Sequence, residues 1–256
     1  MSALKSDAKV ARFPGLLVPR RISVHGFVCG CGHSGTTLIA NILSAHPDAF
    51  VPLFETSIFM KSSFKMKVRH LKLLWAAALS NKRVFIEKSP GHIRKLESIR
   101  ALVHGARFVI PVRDGRDCVA SMFKRTGNLC QNIERWIGDN TIVLAERGKT
   151  DILVYRHEDL VTDPPTVVRQ VCEFLDLDYS DQLLDFHKSR RLWFKQTQIR
   201  NDANPFGAGH DAYRNWQVNQ PIFDNRGRWT LELSEDDVAE LTRGRGRPLM
   251  EAFGYV

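Results

Sequence analysis

The run Cys29-Gly30-Cys31-Gly32-His33-Ser34-Gly35-Thr36-Thr37 constrains this chain more than any other stretch. An apolar segment, residues 22–28, leads into it, and an amphipathic one, residues 38–43, leads out. The pattern reads as strand, glycine-rich turn, helix. Such a turn aims several backbone N–H groups at one point, and the helix N-terminus adds partial positive charge, so the pocket suits a phosphate or sulfate group. From Gly30 to Gly35 the spacing follows the nucleotide-binding pattern G-x-x-x-x-G-K-[ST], but Thr36 stands where the lysine belongs. The cradle is there, without the cation that reaches the terminal phosphates of a nucleoside triphosphate. Ser34, Thr36 and Thr37 add hydroxyl donors, and His33 is the one side chain of the turn able to carry charge.

Strands alternate with helices from there to residue 175. Val84-Phe85-Ile86 is a short buried strand running into Glu87-Lys88-Ser89-Pro90. Residues 92–104 carry Ile93, Leu96, Ile99 and Val103 at helical spacing. Residues 107–112 form a strand, and Asp114 and Asp117 suit the start of the helix after it. Residues 132–147 and 165–175 read as helices and 151–155 as a strand, while 49–80 is less regular until a helix end at 71–79. The alternation predicts a P-loop-like, three-layer α/β domain over residues 22–256, a central parallel sheet flanked by helices, after an irregular arm at residues 1–21. The turns at Gly30, Glu87 and Arg113 all follow strands, so they should converge on the sheet edge where such folds bind ligands. Residues 190–229, rich in Asn, Gln, Gly, Arg and aromatics, read as a long functional loop, and 234–242 as a final helix.

Composition narrows the partners. Lys plus Arg outnumber Asp plus Glu by 37 to 28, a formal charge of +9. That surplus favours an anionic ligand, a nucleic acid or an acidic membrane face without choosing among them. With no zinc-finger spacing and no RNA-binding aromatic signature, nucleic acid is not the expected partner. Five cysteines, an odd number, suggest reduced thiols, with Cys118, Cys130 and Cys172 in helical patterns and expected in the core. Cys29-x-Cys31-x-His33 lacks a second ligand pair at suitable spacing, so no metal is expected. Residues 1–21 lack the apolar core of a signal peptide, and no window approaches the ~20 apolar residues of a membrane span. A cytoplasmic, plausibly bacterial protein is therefore expected.

Three further groups can carry chemistry. Arg113 at a strand end and Ser121 two turns into the next helix can meet on one phosphate, the guanidinium bidentately; the alternative is an arginine paired with Asp114 or Asp117. Glu55 lies in the mostly apolar stretch Pro52-Leu53-Phe54-Glu55-Thr56, where burial would tune it as a general base; the alternative is a solvated loop carboxylate. Lys88 ends a buried strand, where an ammonium can steady charge on a leaving oxygen, with Glu87 as its expected ion-pair partner. His157-Glu158-Asp159 reads as a turn and helix cap, Trp75, Trp136 and Trp193 as packing residues, and Arg243 to Arg247 as a solvated turn.

Taken together, Gly32-His33-Ser34-Gly35-Thr36-Thr37-Leu38, His46-Pro47-Asp48, Glu87-Lys88-Ser89-Pro90 and Val112-Arg113-Asp114 with Ser121 resemble the sulfotransferases that use 3′-phosphoadenosine 5′-phosphosulfate, PAPS. The resemblance extends over roughly residues 22–256, including Tyr155 to Leu160 and Gly227-Arg228-Trp229. It implies that residues 32–38 hold the 5′-phosphosulfate and that Arg113 and Ser121 hold the 3′-phosphate. Glu55 matches the base of the carbohydrate-type enzymes, Lys88 the lysine of their Glu-Lys-Thr/Ser-Pro element, and Arg226, Gly227 and Arg228 the C-terminal loop that closes on the nucleotide. It departs at His33, where many members have Lys or Arg, and in lacking the fuller Arg-Lys-Gly element before Gly227. The implied reaction is in-line sulfuryl transfer to a hydroxyl or amine, on a carbohydrate or glycan, with no metal required. Rival readings are a small-molecule kinase, against which Thr36 argues, and a catalytically silent nucleotide-binding protein.

Overall fold

The computed structural model describes Pro19 and residues 21–60, 64–189, 191–193 and 215–256, the side chains of 64 and 65 excepted. Most of the predicted arm, and positions 194–214 of the predicted loop, lie outside the described residues. Five strands, β1 (Val24–Val28), β2 (Ala49–Phe50), β3 (Val84–Lys88), β4 (Ala106–Val112) and β5 (Ile152–Arg156), form one parallel sheet in the order β2-β3-β1-β4-β5. β1 is central, with Val28 in register with Lys88 of β3 on one side and Val109 of β4 on the other.

Alternation along the strands sorts side chains into two cores, as a parallel sheet covered on both faces requires. Phe27, Phe85, Phe108 and Ile110 point to one face, where they meet Leu74 of α2 (Phe64–Leu79), Ile99 of α3 (Leu96–Leu102), Val119 of α4 (Gly115–Thr126) and Trp136 of α5 (Leu129–Glu146). Val24, Val28, Val84, Ile86 and Val109 point to the other, against Ile39 and Leu43 of α1 (Thr36–Leu43) and Val168 and Val171 of α7 (Pro164–Phe174). The short α8 (Ala239–Thr242) and α9 (Arg247–Ala252) close the first core with Leu241 and Met250.

Several local expectations need correction. The segment expected as one helix from residue 92 is a 3₁₀ turn, Pro90–Lys95, followed by α3. The helix end expected at 71–79 is the C-terminal half of α2, whose basic, weakly periodic first half starts at Phe64. α5 starts at Leu129 because Asn128 caps it, its side chain accepting from Gln131 N at 3.0 Å. A helix, α6 (His157–Thr162), replaces the expected turn. The expected final helix at 234–242 is helical only in α8, since Ser234 and Asp237 close a turn upstream of it. The Arg243 to Arg247 run is the exposed turn expected, with Arg247 opening α9; Arg245 pairs with Glu134 and Glu240, and Arg247 with Glu251. Cys130 is exposed rather than in the core, and Trp75 is 43% exposed. Among the described residues, no helix is long and apolar enough to cross a membrane.

Candidate active site

The glycine turn reaches α1 through Gly35, whose φ of 98° is left-handed. A Cβ there would lie 2.5 Å from His157 Nδ1, so both backbone conformation and space require glycine. α1 has no side-chain cap and no acidic residue in its first turn. Its leading N–H groups are therefore left for an anion. His33 holds a φ of 69°, and its Nδ1 lies 2.8 Å from Ser121 Oγ of α4. The Cys31 sulfur sits 3.9 Å from that of Cys118.

Arg113 follows β4 directly. Trp136 Nε1 donates to its carbonyl at 3.1 Å, and its own Nη1 donates to the His33 carbonyl at 3.2 Å. Nη2 reaches Asn225 Oδ1 at 3.4 Å. The alternative pairing with Asp114 or Asp117 is not what forms. Asp114 caps α4 and binds Arg116, while Asp117 accepts from Gly227 N at 2.8 Å and Trp229 N at 3.0 Å. Asp117 thus fastens the C-terminal segment to α4.

Between these parts lies a cavity of about 290 Å³. His33, Gly35, Thr36, Thr37 and Leu38 line one end, Arg113 and Ser121 with Lys124 and Arg125 another, and Val218, Ile222, Phe223 and Trp229 form an apolar wall. Arg228 also lines it. The acidic lining residues are already engaged: Glu232 holds Lys124 at 2.5 Å and Arg228 at 2.8 Å. The cavity therefore offers backbone N–H groups at the turn, cationic side chains at the Arg113 end and one apolar wall.

Not every expected residue reaches it. Gly32 and Ser34 are absent from the lining, because Arg135 packs over Gly32 and Ser34 Oγ donates to the Cys31 carbonyl at 2.7 Å. Arg226 and Gly227 are absent too. Arg226 is exposed and held by Asp224 at 2.7 Å, and Gly227 contributes its N–H to Asp117. His157, expected only as part of a cap, does line the cavity. It is buried, its Nδ1 has no hydrogen-bond partner among the described residues, and burial, then the nearby Arg113 charge, lowers its pKa to about 3. Its signal was its position just after β5, on the same sheet edge as the other turns. The neighbouring Glu158 is structural, accepting from Asp114 N at 3.0 Å and Tyr255 Oη at 2.9 Å.

Lys88 and Glu55 lie apart from the cavity lining, on the β3 side of β1. Lys88 is fully buried, and Nζ lies 2.8 Å from Glu55 Oε1 and 4.9 Å from the centroid of the Trp193 ring, a cation–π contact. Two expectations are corrected here. The partner of Lys88 is Glu55, not Glu87, because Glu87 points to the opposite side of the strand and contacts His92 at 2.7 Å. Glu55 is not buried by its apolar neighbours: its side chain is 46% exposed. Trp193, expected to do no more than pack, covers the Lys88 ammonium.

A parallel α/β sheet with a glycine-rich anion cradle at the end of its central strand, and no lysine in that cradle, defines a P-loop-like protein built for something other than ordinary triphosphate chemistry. A family model described as "Sulfotransferase family" matches residues 71–181. Protein-tyrosine sulfotransferase A of Caenorhabditis elegans is 22% identical over 92% of this chain and 68% of its own. Among solved structures, the sulfotransferase domain of the Synechococcus PCC 7002 olefin synthase aligns with a TM-score of 0.56 and 20% identity, covering 97% of this chain and 99% of that one. A mouse sulfotransferase complexed with PAP aligns at 0.53 and 16% identity, over 92% and 91%. The chain is thus similar to sulfotransferases in sequence over residues 71–181 and in fold over most of its length.

Proposed function

We propose that the chain moves a sulfuryl group from PAPS to a hydroxyl acceptor, and that the tyrosine hydroxyl of a peptide is the acceptor to test first. The single observation that carries the donor reading is the contact of His33 with both Ser121 Oγ and the Arg113 guanidinium, which joins the phosphate cradle to a second cationic end of one cavity. That matches a ligand with anionic groups at both ends of a nucleoside. The 5′-phosphosulfate lies on the α1 N-terminus and the His33 to Leu38 turn, the 3′-phosphate on Arg113 and Ser121, and the adenine against Ile222, Phe223 and Trp229. The PAP complex of the mouse neighbour supports that donor.

The acceptor oxygen attacks sulfur as the bond from sulfur to the bridging phosphate oxygen breaks. Glu55 takes the acceptor proton, and the electron pair leaves with the 3′,5′-diphosphate product. Lys88 neutralises the developing charge on that oxygen. The Glu55–Lys88 pair at 2.8 Å couples the two events, since protonating Glu55 releases the ammonium toward the leaving group. A tyrosine acceptor is favoured by the tyrosine sulfotransferase relative; a carbohydrate acceptor is the second reading, favoured by the +9 charge and its fit to anionic glycans. Incubation with ³⁵S-labelled PAPS and, in parallel, a tyrosine peptide and heparan-type oligosaccharides decides between them by which product carries label. Label in neither, with no binding of PAP by calorimetry, would overturn the donor reading.

A further inference from the structure

Glu87 does not pair with Lys88, yet it is fully buried, and a buried carboxylate is retained only when it is well bonded. Its bonds all join the end of β3 to the segment that carries Glu55. Oε1 accepts from Thr56 Oγ1 and, at 2.6 Å, from Ser89 Oγ. Ser89 Oγ in turn accepts from Ser57 N at 2.9 Å, and Thr56 Oγ1 accepts from Ile58 N at 3.3 Å. On the far side, Oε2 lies 2.7 Å from His92 Nδ1, while His92 Nε2 accepts from Phe59 N at 3.3 Å, leaving Nδ1 as the proton-bearing atom facing the carboxylate. Ser57 holds a left-handed φ of 50°, a conformation that needs such support. The carboxyl is accordingly ionised: burial pushes its pKa up, but His92 and the bonds from Ser89 and Thr56 outweigh that and lower it.

We propose that Glu87 is a positioning residue: through Thr56 and Ser89 its carboxylate fixes the turn at residues 55–57, so that the half-exposed Glu55 is presented to Lys88. Adjacent residues of one strand then serve opposite faces, Lys88 toward the reacting atoms and Glu87 toward the loop that supplies the base. This rests on the sulfuryl-transfer reading of Glu55 and Lys88. Glu87 itself is too deeply buried to meet a substrate.

The test removes one hydroxyl without changing shape. Thr56→Val loses the bond to Glu87, and Thr56→Ser keeps it. Crystal structures of both are compared, and transfer from PAPS to a tyrosine peptide is measured alongside PAP binding. The expected result is a Glu55 carboxylate displaced from Lys88 in Thr56→Val and retained in Thr56→Ser. Turnover should fall ~10–100-fold in the first and recover in the second, with PAP affinity unchanged in both. The double variant Glu55→Gln/Thr56→Val should be no slower than Glu55→Gln alone, a non-additivity that general loosening would not give. Glu55 still 2.8 Å from Lys88 in Thr56→Val would overturn the inference whatever the acceptor proves to be. Failure of wild-type protein to bind PAP or transfer label would instead sink the reading beneath it, while the crystal structures would still decide the position of Glu55.

Discussion

The two sides of the central strand are built differently. On the β4 side, the cavity is lined by groups already locked to one another: Arg113 to His33, His33 to Ser121, Asp117 to Gly227 and Trp229. On the β3 side, only one member of the working pair is fixed by burial. Lys88 has no exposed surface, whereas Glu55 is 46% exposed on a loop braced from behind. Under the proposed function this is a rigid donor site beside an open proton-accepting site, the arrangement a transferase needs when one co-substrate is constant and the other must enter, react and leave. The contrast also separates affinity from turnover, so substitutions on the two sides should move different observables.

Glu55→Gln gives the largest expected effect. Turnover falls ~10²–10⁴-fold while PAP affinity, read by calorimetry, stays at the wild-type value. Equal losses in both would erase the distinction between the sides. Arg113→Ala comes next and acts in the opposite sense, weakening PAP binding by about 2–4 kcal/mol because a buried, charged contact is removed. An unchanged dissociation constant would take Arg113 out of the donor site.

Acid titration sharpens the comparison through stability. Burial lowers His25 to about 4 and His70 and His157 to about 3, with further lowering of His70 by His25 and of His157 by Arg113. An unfolded imidazole titrates near ~6.5, so the unfolded chain binds more protons between the two values. Stability is therefore full above pH ~6.5 and declines on acidification by up to ~1.4 kcal/mol per pH unit for each histidine. His157→Asn should remove the donor-side share of that slope in urea titrations at pH 7, 6 and 5, leaving the share of His25 and His70. A slope unaltered by the substitution would show that His157 is not buried neutral. The smallest effect is expected for His33→Lys, which retains activity within ~10-fold because lysine keeps a cation at the turn. A folded but inactive variant would mean that the imidazole contact with Ser121, not charge, is what the turn requires.

What could be read from residues alone follows the same division. The strands were legible as short apolar runs that end in turn residues, as a sheet covered on both faces requires, and the cradle because Gly35 answers a backbone demand in a space with no room for a Cβ. Asp114 announced α4 by capping it. The pairing of Lys88 was not legible, because adjacent residues on a strand face opposite ways and sequence proximity to Glu87 points to the wrong partner. His157 was hidden because His-Glu-Asp reads equally well as a cap, and only the strand before it gives its side chain a direction. The wall at Val218 to Phe223 carries no periodicity at all. Its role comes from where the chain returns, which local pattern does not encode.

That return has a consequence for biosynthesis. Asp117 on α4 receives the N–H groups of Gly227 and Trp229, more than a hundred positions downstream, and those residues help complete the compartment begun by Leu38. A ribosome-bound fragment ending before them would own the glycine loop but lack Arg228, Trp229 and Glu232 of the lining and the contacts that dock residues 218–225 beside α4. Capture of the nucleotide would then report that the segment around Gly227 and Trp229 has been made and has docked, and the captured molecule would hold that docked state in place by mass action.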